Sequence, residues 1–398
     1  MDSSVTASSV RSRPFDVIVV GLGAMGSCAL EALARRGKRV LGIDRFDPPH
    51  DLGSSHGGSR VIRLSYFERP EYVPLLRRAY DGFDRLSRDS GEKLRFETGL
   101  VAGGAYGNPI SAGMLRSARE HDLMVDAMDG RELMRRFPQF SVPANWEIVM
   151  EQQGGFVRPE AVIRSALALA VRAGASIERN APVTSWGVNG HGAWVEAGRG
   201  RFEASTLVLA GGAWMPQLMG SVGPKLEPTR QTIVWIDDAG DPAWGHEAMP
   251  VWLFDRGEQP AVYGVPPSPG MGLPQGLPQG MPQGMKVGLH GGGPVVRPEQ
   301  IREVPSAEIV AETVAAAAER IVGAGTRAVA GAKHCLYTMS PDTDFVVGLH
   351  PAHPQVAIAG GFSGHGFKFA PVIGEALADL ATKGKTTLPI GFLSPTRP

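Results

Sequence analysis

Residues 15–44, FDVIVVGLGAMGSCALEALARRGKRVLGID, leave the chain little choice about how it begins to fold. Val17, Ile18, Val19 and Val20 form a short β-branched apolar run, the pattern of a buried strand. Gly21-Leu22-Gly23-Ala24-Met25-Gly26 follows without a gap. A helical pattern of Cys28, Ala29, Leu30, Ala32, Leu33 and Ala34 comes next, stopped by Gly37. A second strand over 39–43 ends at Asp44. Gly21 permits the tight turn, Gly23 lets backbone approach a pyrophosphate, and Gly26 lets helix and strand pack closely. The helix N-terminus offers free N–H groups and the positive end of its dipole to phosphate. Asp44, about 20 residues on, is placed to accept hydrogen bonds from a ribose 2′-hydroxyl. The unit predicts a Rossmann-like dinucleotide site with Ala24 and Met25 in its turn. By itself it does not separate FAD from NAD.

A chain of 398 residues exceeds one small core, so two domains are expected. Formal charge is zero and no lysine-rich run occurs, which argues against nucleic acid or an anionic membrane as the main partner. No apolar run reaches the length of a membrane span. Cys28 and Cys335 are the two cysteines, too few for a disulfide framework or a cysteine-rich metal site, and no metal is expected. Cys28, on the first helix, reads as a small core residue. Residues 1–13 are polar, lack the apolar region of a secretory signal and read as a disordered tail. Residues 394–398 are not a peroxisomal address, and a cytoplasmic location is the expectation.

Past Asp44, Arg45 and His50 open a loop rich in Pro, His, Gly and Ser. It leads into Gly53-Ser54-Ser55-His56-Gly57-Gly58-Ser59-Arg60-Val61-Ile62-Arg63. Small residues let backbone approach a ligand, and a helical turn here would set Arg60 and Arg63 on one side. Residues 72–86 carry an amphipathic helical pattern. Residues 94–105 look like strand, 114–121 and 130–137 like short helices, and 159–173 like a helix with Pro at its first position. Strands over 175–179 and 183–188 precede a hairpin through Asn189-Gly190. Residues 206–214 then repeat the opening logic, an apolar strand running into Gly211, Gly212 and Trp214, which suits a nucleotide site returning to one sheet. Residues 227–296 are strand-rich and broken at 272–285, GLPQGLPQGMPQGM. Without hydrophobic period and rich in Pro and Gly, that repeat predicts a mobile insertion within a hairpin. An Ala-rich helix is expected over 306–322, a strand from 355 running into Gly361-Phe362-Ser363-Gly364-His365-Gly366-Phe367-Lys368-Phe369, and a closing helix over 371–382.

Residues 53–63, Lys286-Val287-Gly288-Leu289-His290, Cys335-Leu336-Tyr337-Thr338, residues 344–353 and residues 361–369 together resemble the monomeric sarcosine oxidase family, to which N-methyltryptophan oxidase and pipecolate-type oxidases are related. The resemblance runs from Phe15 over nearly the whole chain. It implies an α/β fold: a Rossmann-like FAD-binding domain of glutathione-reductase type, interleaved with a β-sheet-based α+β substrate domain. The boundaries expected are 14–88, 154–225 and 324–390 for the discontinuous FAD-binding domain, and 89–153 and 226–323 for the substrate domain. It implies FAD held covalently through a thioether, with Cys335 the matching residue.

The same resemblance assigns roles. Arg63 and Lys368 match a clamp for the substrate carboxylate, where Arg supplies a bidentate fork. Arg60 matches a residue beneath the flavin ring. Lys286 matches a lysine beside N5 that favours reduction of O2, because negative charge develops there. His290, Tyr263 and Tyr337 match polar residues around the substrate amine. His56 matches a position near the flavin and Val183 one near the adenine. Gly364, Gly366 and Phe367 match backbone close to the ring. Gly53, Ser54, Ser59 and Val61 complete the expected cofactor contacts, and Ser55 stands where the family often carries His. The activity implied is hydride transfer from an N-methyl amino acid to FAD, hydrolysis of the imine to an aldehyde and an amino acid, and reduction of O2 to H2O2. Substrate and O2 would be the only partners of a monomer. A cyclic imino acid oxidase and a flavin-binding module without turnover are the alternatives. Lys286 and Cys335 argue against the latter, since a binder needs neither.

Overall fold

The computed structural model describes residues 14–198, 200–267 and 282–397. The expectations for residues 1–13 and for 272–281 of the repeat lie outside the described residues.

The β-branched run forms strand Phe15–Val20, which pairs in parallel with Val40–Ile43 on one side and Gly200–Leu209 on the other. Ser176–Glu178 extends the sheet in parallel beyond Val40–Ile43, and His353–Gly360 joins the end of Gly200–Leu209, also in parallel. An antiparallel hairpin, Val183–Asn189 with Gly192–Ala197, and strand Val346–His350 complete it. Strands buried on both faces read as continuous apolar runs, as here. One face is covered by helices Ala24–Arg35, Pro159–Arg172 and Ala370–Lys383, which pack on one another with Cys28 in their core. This is the Rossmann-like part of the α/β fold. Three of its strands, ending at Val20, Leu209 and Gly360, run into glycine turns at the same edge.

A second sheet runs in the order Val329–Met339, Glu227–Ile236, Met285–His290, Gln259–Val265, Val251–Arg256, Leu100–Gly104, Glu147–Glu151, Asp126–Asp129. Its alternation sorts two faces. Val234, Val262, Val287 and Leu289 pack with the helix Ala307–Ala318 on one. The other meets the loops of the first sheet, Ile233 against Gly57 and the Tyr337 ring against Gly364. A small sheet of Arg60–Ile62, Gly155–Val157 and Arg95–Glu97 lies beside them.

Three local expectations are corrected. Arg60 and Arg63 do not share a helical turn, because Arg60–Ile62 is a strand paired antiparallel with Gly155–Val157, as the β-branched Val61 and Ile62 favour. Met285 is no part of an insertion loop: it is fully buried, begins a strand and pairs with Ile236. The Ala-rich helix stops at Ala318, since Ile321 bridges to Phe140 and the Arg320 carbonyl accepts from Ser141 N–H, drawing the chain aside.

Candidate active site

The glycine turns open into a cavity of about 440 Å³ at the strand ends, where open α/β sheets bind ligands. Gly21, Gly23, Ala24 and Met25 line it, and Gly21 has a φ of 86° with no room for a side chain against the Ala210 carbonyl. Gly26 lies outside the lining and does the packing work expected of it: a Cβ there would fall 1.7 Å from Gly21 O. Gly23 is the N-cap of helix Ala24–Arg35 and no side chain caps that end. Asp44, Arg45 and His50 form another wall. Asp44 is fixed by accepting hydrogen bonds from Leu22 N–H (2.6 Å) and Phe46 N–H (2.8 Å). Val183, Gly211, Gly212 and Trp214 line the cavity, as do Gly53, Ser54 and Arg60, and then Tyr337, Gly364, Gly366 and Phe367. Thr184, Ser185, Trp186 and Gln217 line it as well and had no recognisable motif.

The strand register explains what gathers at the far end. Facing residues on neighbouring strands point the same way. Cys335 faces Gln231, Tyr337 faces Thr229, and Trp235 faces Lys286. Gly288 faces both Ile233 and Tyr263, and Ala261 faces His290. Cys335, Tyr337, Lys286, His290 and Tyr263 therefore share one face of the second sheet. Cys335 is buried just off the cavity, its Sγ 3.3 Å from Arg60 Nη2 and 3.7 Å from Ser54 O. Arg60 also donates to Ser54 O and Ser59 O, each at 2.8 Å. Lys286, 1% exposed, donates to the carbonyls of Ser59 and, at 3.4 Å, Gly57. Burial and then Arg60 hold its ammonium well below the usual lysine range. His56 is buried with neither ring nitrogen partnered, and burial followed by Arg60 brings it down to about 3. The Ser59 hydroxyl is buried without a partner, while Val61 lies in the small sheet, off the cavity.

Arg63 and Lys368, both buried, form a second cluster with the half-buried His290. Arg63 Nη2 donates to both carboxylate oxygens of Glu68 at 2.7 and 2.6 Å, and Nη1 is buried without a partner. Lys368 Nζ donates to His365 O at 2.8 Å, and the Tyr66 ring lies under both cations. Burial opposes charge on Glu68, yet Arg63 brings it down to about 2. His290 is pushed down to about 4, chiefly by burial, with Glu68, Lys368 and Arg63 the charges it feels; its Nδ1 lies 3.3 Å from the Tyr337 hydroxyl. Burial raises Tyr263 to about 12. Tyr66 and His365 share a short hydrogen bond beside this cluster. Glu68 was not legible as a functional candidate.

The features of this site suit FAD. An uncapped helix end and open glycine backbone suit its pyrophosphate, since a Cβ at Gly212 would meet nothing within 4 Å and one at Gly23 only Ser55 Oγ at 3.8 Å. His56 and Ser59, next in sequence to the lining residues Ser55 and Arg60, are buried just off the cavity with polar atoms left unpartnered. Comparison with known proteins agrees. The pattern of the family described as FAD dependent oxidoreductase matches residues 16–380. The chain belongs to this family of FAD-dependent oxidoreductases and, within it, to the group of monomeric sarcosine oxidases and N-methyl-L-tryptophan oxidases. Monomeric sarcosine oxidase of Streptomyces avermitilis is 40% identical over 392 residues, covering 97% of this chain and 98% of that protein. N-methyl-L-tryptophan oxidase of Salmonella arizonae is 33% identical over 370 residues, 92% and 94% of the two chains. The solved structure of NikD, an unusual amino acid oxidase, superposes with a TM-score of 0.81 at 20% identity, covering 96% and 98%, and glycine oxidase of Geobacillus kaustophilus with 0.79 at 18%, covering 97% and 100%. Among the described residues no helix is long and apolar enough to cross a membrane.

Proposed function

We propose that this protein is an FAD-dependent oxidase of small N-methyl amino acids, giving an aldehyde, an amino acid and H2O2. The observation that carries the reading is the cluster of the buried Arg63 and Lys368 with the half-buried His290 beside the FAD cavity, with one unpartnered guanidinium nitrogen on Arg63. FAD, when bound, accepts the hydride and passes the electrons to O2. The chain's own residues do the rest. The Gly21–Gly26 turn, Asp44 and the Gly211–Gly212 turn hold the adenosine and pyrophosphate. Arg63 Nη1 and Lys368 hold the substrate carboxylate, which fixes the amine in a reactive pose. His290 is neutral near pH 7, given a value of about 4, and so keeps a lone pair for the substrate N–H. Lys286 supplies fixed positive charge where O2 gains negative charge. Cys335 is the attachment point, and the working unit is a monomer in the cytoplasm.

The test is a substrate panel of sarcosine, N-methylalanine, N-methyltryptophan, pipecolate and proline, read by peroxide release. N-methyl amino acids should lead. A preference for pipecolate or proline would shift the assignment to a cyclic imino acid, and amines without a carboxylate outperforming all of these would sink the clamp. Acid-precipitated protein should stay yellow and a Cys335→Ser variant should not; an unmodified mass for the intact chain removes the thioether.

A further inference from the structure

A buried glutamate outside every motif discussed above lies behind Lys286. Glu160, 5% exposed, sits in the first turn of helix Pro159–Arg172. Its Oε1 accepts from Gly57 N–H at 2.7 Å and from Gly58 N–H at 3.1 Å. Two consecutive N–H groups converge on one oxygen because Gly57 and Gly58 have φ of 92° and 76°, a left-handed pair that side chains disfavour. The Gly58 N–H and the Gly57 carbonyl belong to the same peptide group. That carbonyl is one of the two acceptors of Lys286 Nζ, and the Ser59 carbonyl two residues along is the other. A single peptide thus stands between a carboxylate and an ammonium, its dipole aligned with both, an arrangement in which each hydrogen bond strengthens the next.

We propose that Glu160 is a positioning residue for Lys286: acting through the Gly57–Gly58 peptide, its carboxylate fixes the ammonium and supplies the negative charge that balances it. Four groups act on this site. Arg60, from strand Arg60–Ile62, opposes charge on Lys286, as does burial, while Glu160 and Cys335, from Val329–Met339, favour it; His56, in the adjoining loop, feels the Lys286 charge in turn. A second cation one residue from the lysine's acceptor makes the counter-charge necessary. Both Arg60 Nη1 and Lys286 Nζ use the Ser59 carbonyl. Without an anion on the other side of the loop, the lysine would shed its proton or leave its carbonyls.

The experiment is a titration of Lys286 Nζ in the holoenzyme by ¹⁵N NMR, the signal assigned by its loss in Lys286→Met. Glu160→Gln keeps the shape and an acceptor oxygen but removes the charge. Its Lys286 midpoint should fall by about one pH unit or more, at least tenfold in proton affinity. Glu160→Asp retracts the charge by one methylene and should fall between wild type and Gln. A Gln midpoint equal to wild type, or Asp and Gln midpoints equal to each other, overturns the proposal. If only Asp accumulates as folded protein, a midpoint equal to wild type does the same. The consequence for oxygen rests on the role given to Lys286 above. Stopped-flow reoxidation of Lys286→Met should slow by about two to three powers of ten, with anaerobic reduction far less affected. The high-pH loss of reoxidation in Glu160→Gln should move down with the Lys286 midpoint. Unchanged reoxidation in Lys286→Met removes the oxygen role and leaves the titration result standing.

Discussion

Lys368 gives the proposed clamp a pH limit. Burial and then the Arg63 guanidinium lower its ammonium to about 7, with Glu68 acting the other way. A lysine is charged below its pKa and neutral above it, so in the free enzyme the clamp loses one of its two cations as pH rises through about 7. For a carboxylate substrate, kcat/KM should fall across that range. Lys368→Arg should keep the cation and lose the limb, because guanidinium stays charged. Initial rates from pH 6 to 10 decide it, and a limb that survives in Lys368→Arg belongs to another group. Removing Glu68 withdraws a charge that favours the ammonium, so Glu68→Gln should move the limb to lower pH. Arg63, Lys368 and His290 were legible because each stands inside a motif whose parts agree. Glu151 and Glu160 were not, because each serves backbone N–H groups 86 or more residues away, and Glu68 was not, because its pairing with Arg63 five residues back follows no helix or strand period.

At the level of elements, the strand Arg60–Ile62 is three residues long and held from both sides. Glu160 grips Gly57 and Gly58 before it. Glu151, 2% exposed at the end of strand Glu147–Glu151, accepts from Leu64 N–H and Ser65 N–H after it, each at 2.7 Å. The segment carrying Arg60 and Arg63 therefore owes its position to two carboxylates rather than to its own length. Glu151→Ala leaves two buried N–H groups without acceptors, at about 1–3 kcal/mol each. Urea unfolding should show a loss of about 2–5 kcal/mol, against almost none for an exposed glutamate such as Glu92. The opening strand, turn and helix are legible because a continuous β-branched apolar run gives way at glycines to a helical period. The strand at Arg60 is too short to show any period, so its two arginines suggested a helical turn. Met285 was taken into the loop because it completes a repeat; its burial depends on the partner Ile236, far away in sequence.

On the scale of the whole molecule, the site belongs to neither sheet alone. The first sheet brings Gly21 and Asp44 to the cavity, and the second brings Tyr337 and the Cys335 strand. A ligand spanning both should tie their stabilities together. In Cys335→Ser, where FAD is held by contacts alone, melting temperature should climb with added FAD, reaching about 2.7 kcal/mol of stabilisation at 100 times Kd. The wild-type holoenzyme should show no such climb, and calorimetry across an FAD series would expose a variant indifferent to FAD. The interleaving was legible only through the resemblance, since nothing in a local pattern says which distant strand returns to which sheet. Position along the chain adds a temporal meaning to the attachment proposed at Cys335. The Gly21–Gly26 turn leaves the ribosome well before the strand Val329–Met339 that carries the sulfur. The bond would close only once the pairing of strand Val329–Met339 with Glu227–Ile236 had brought Cys335 to Arg60 and Ser54. With the thioether proposed at Cys335, colour that survives denaturation would be a record of assembly: each yellow polypeptide in a precipitate once held its two sheets together.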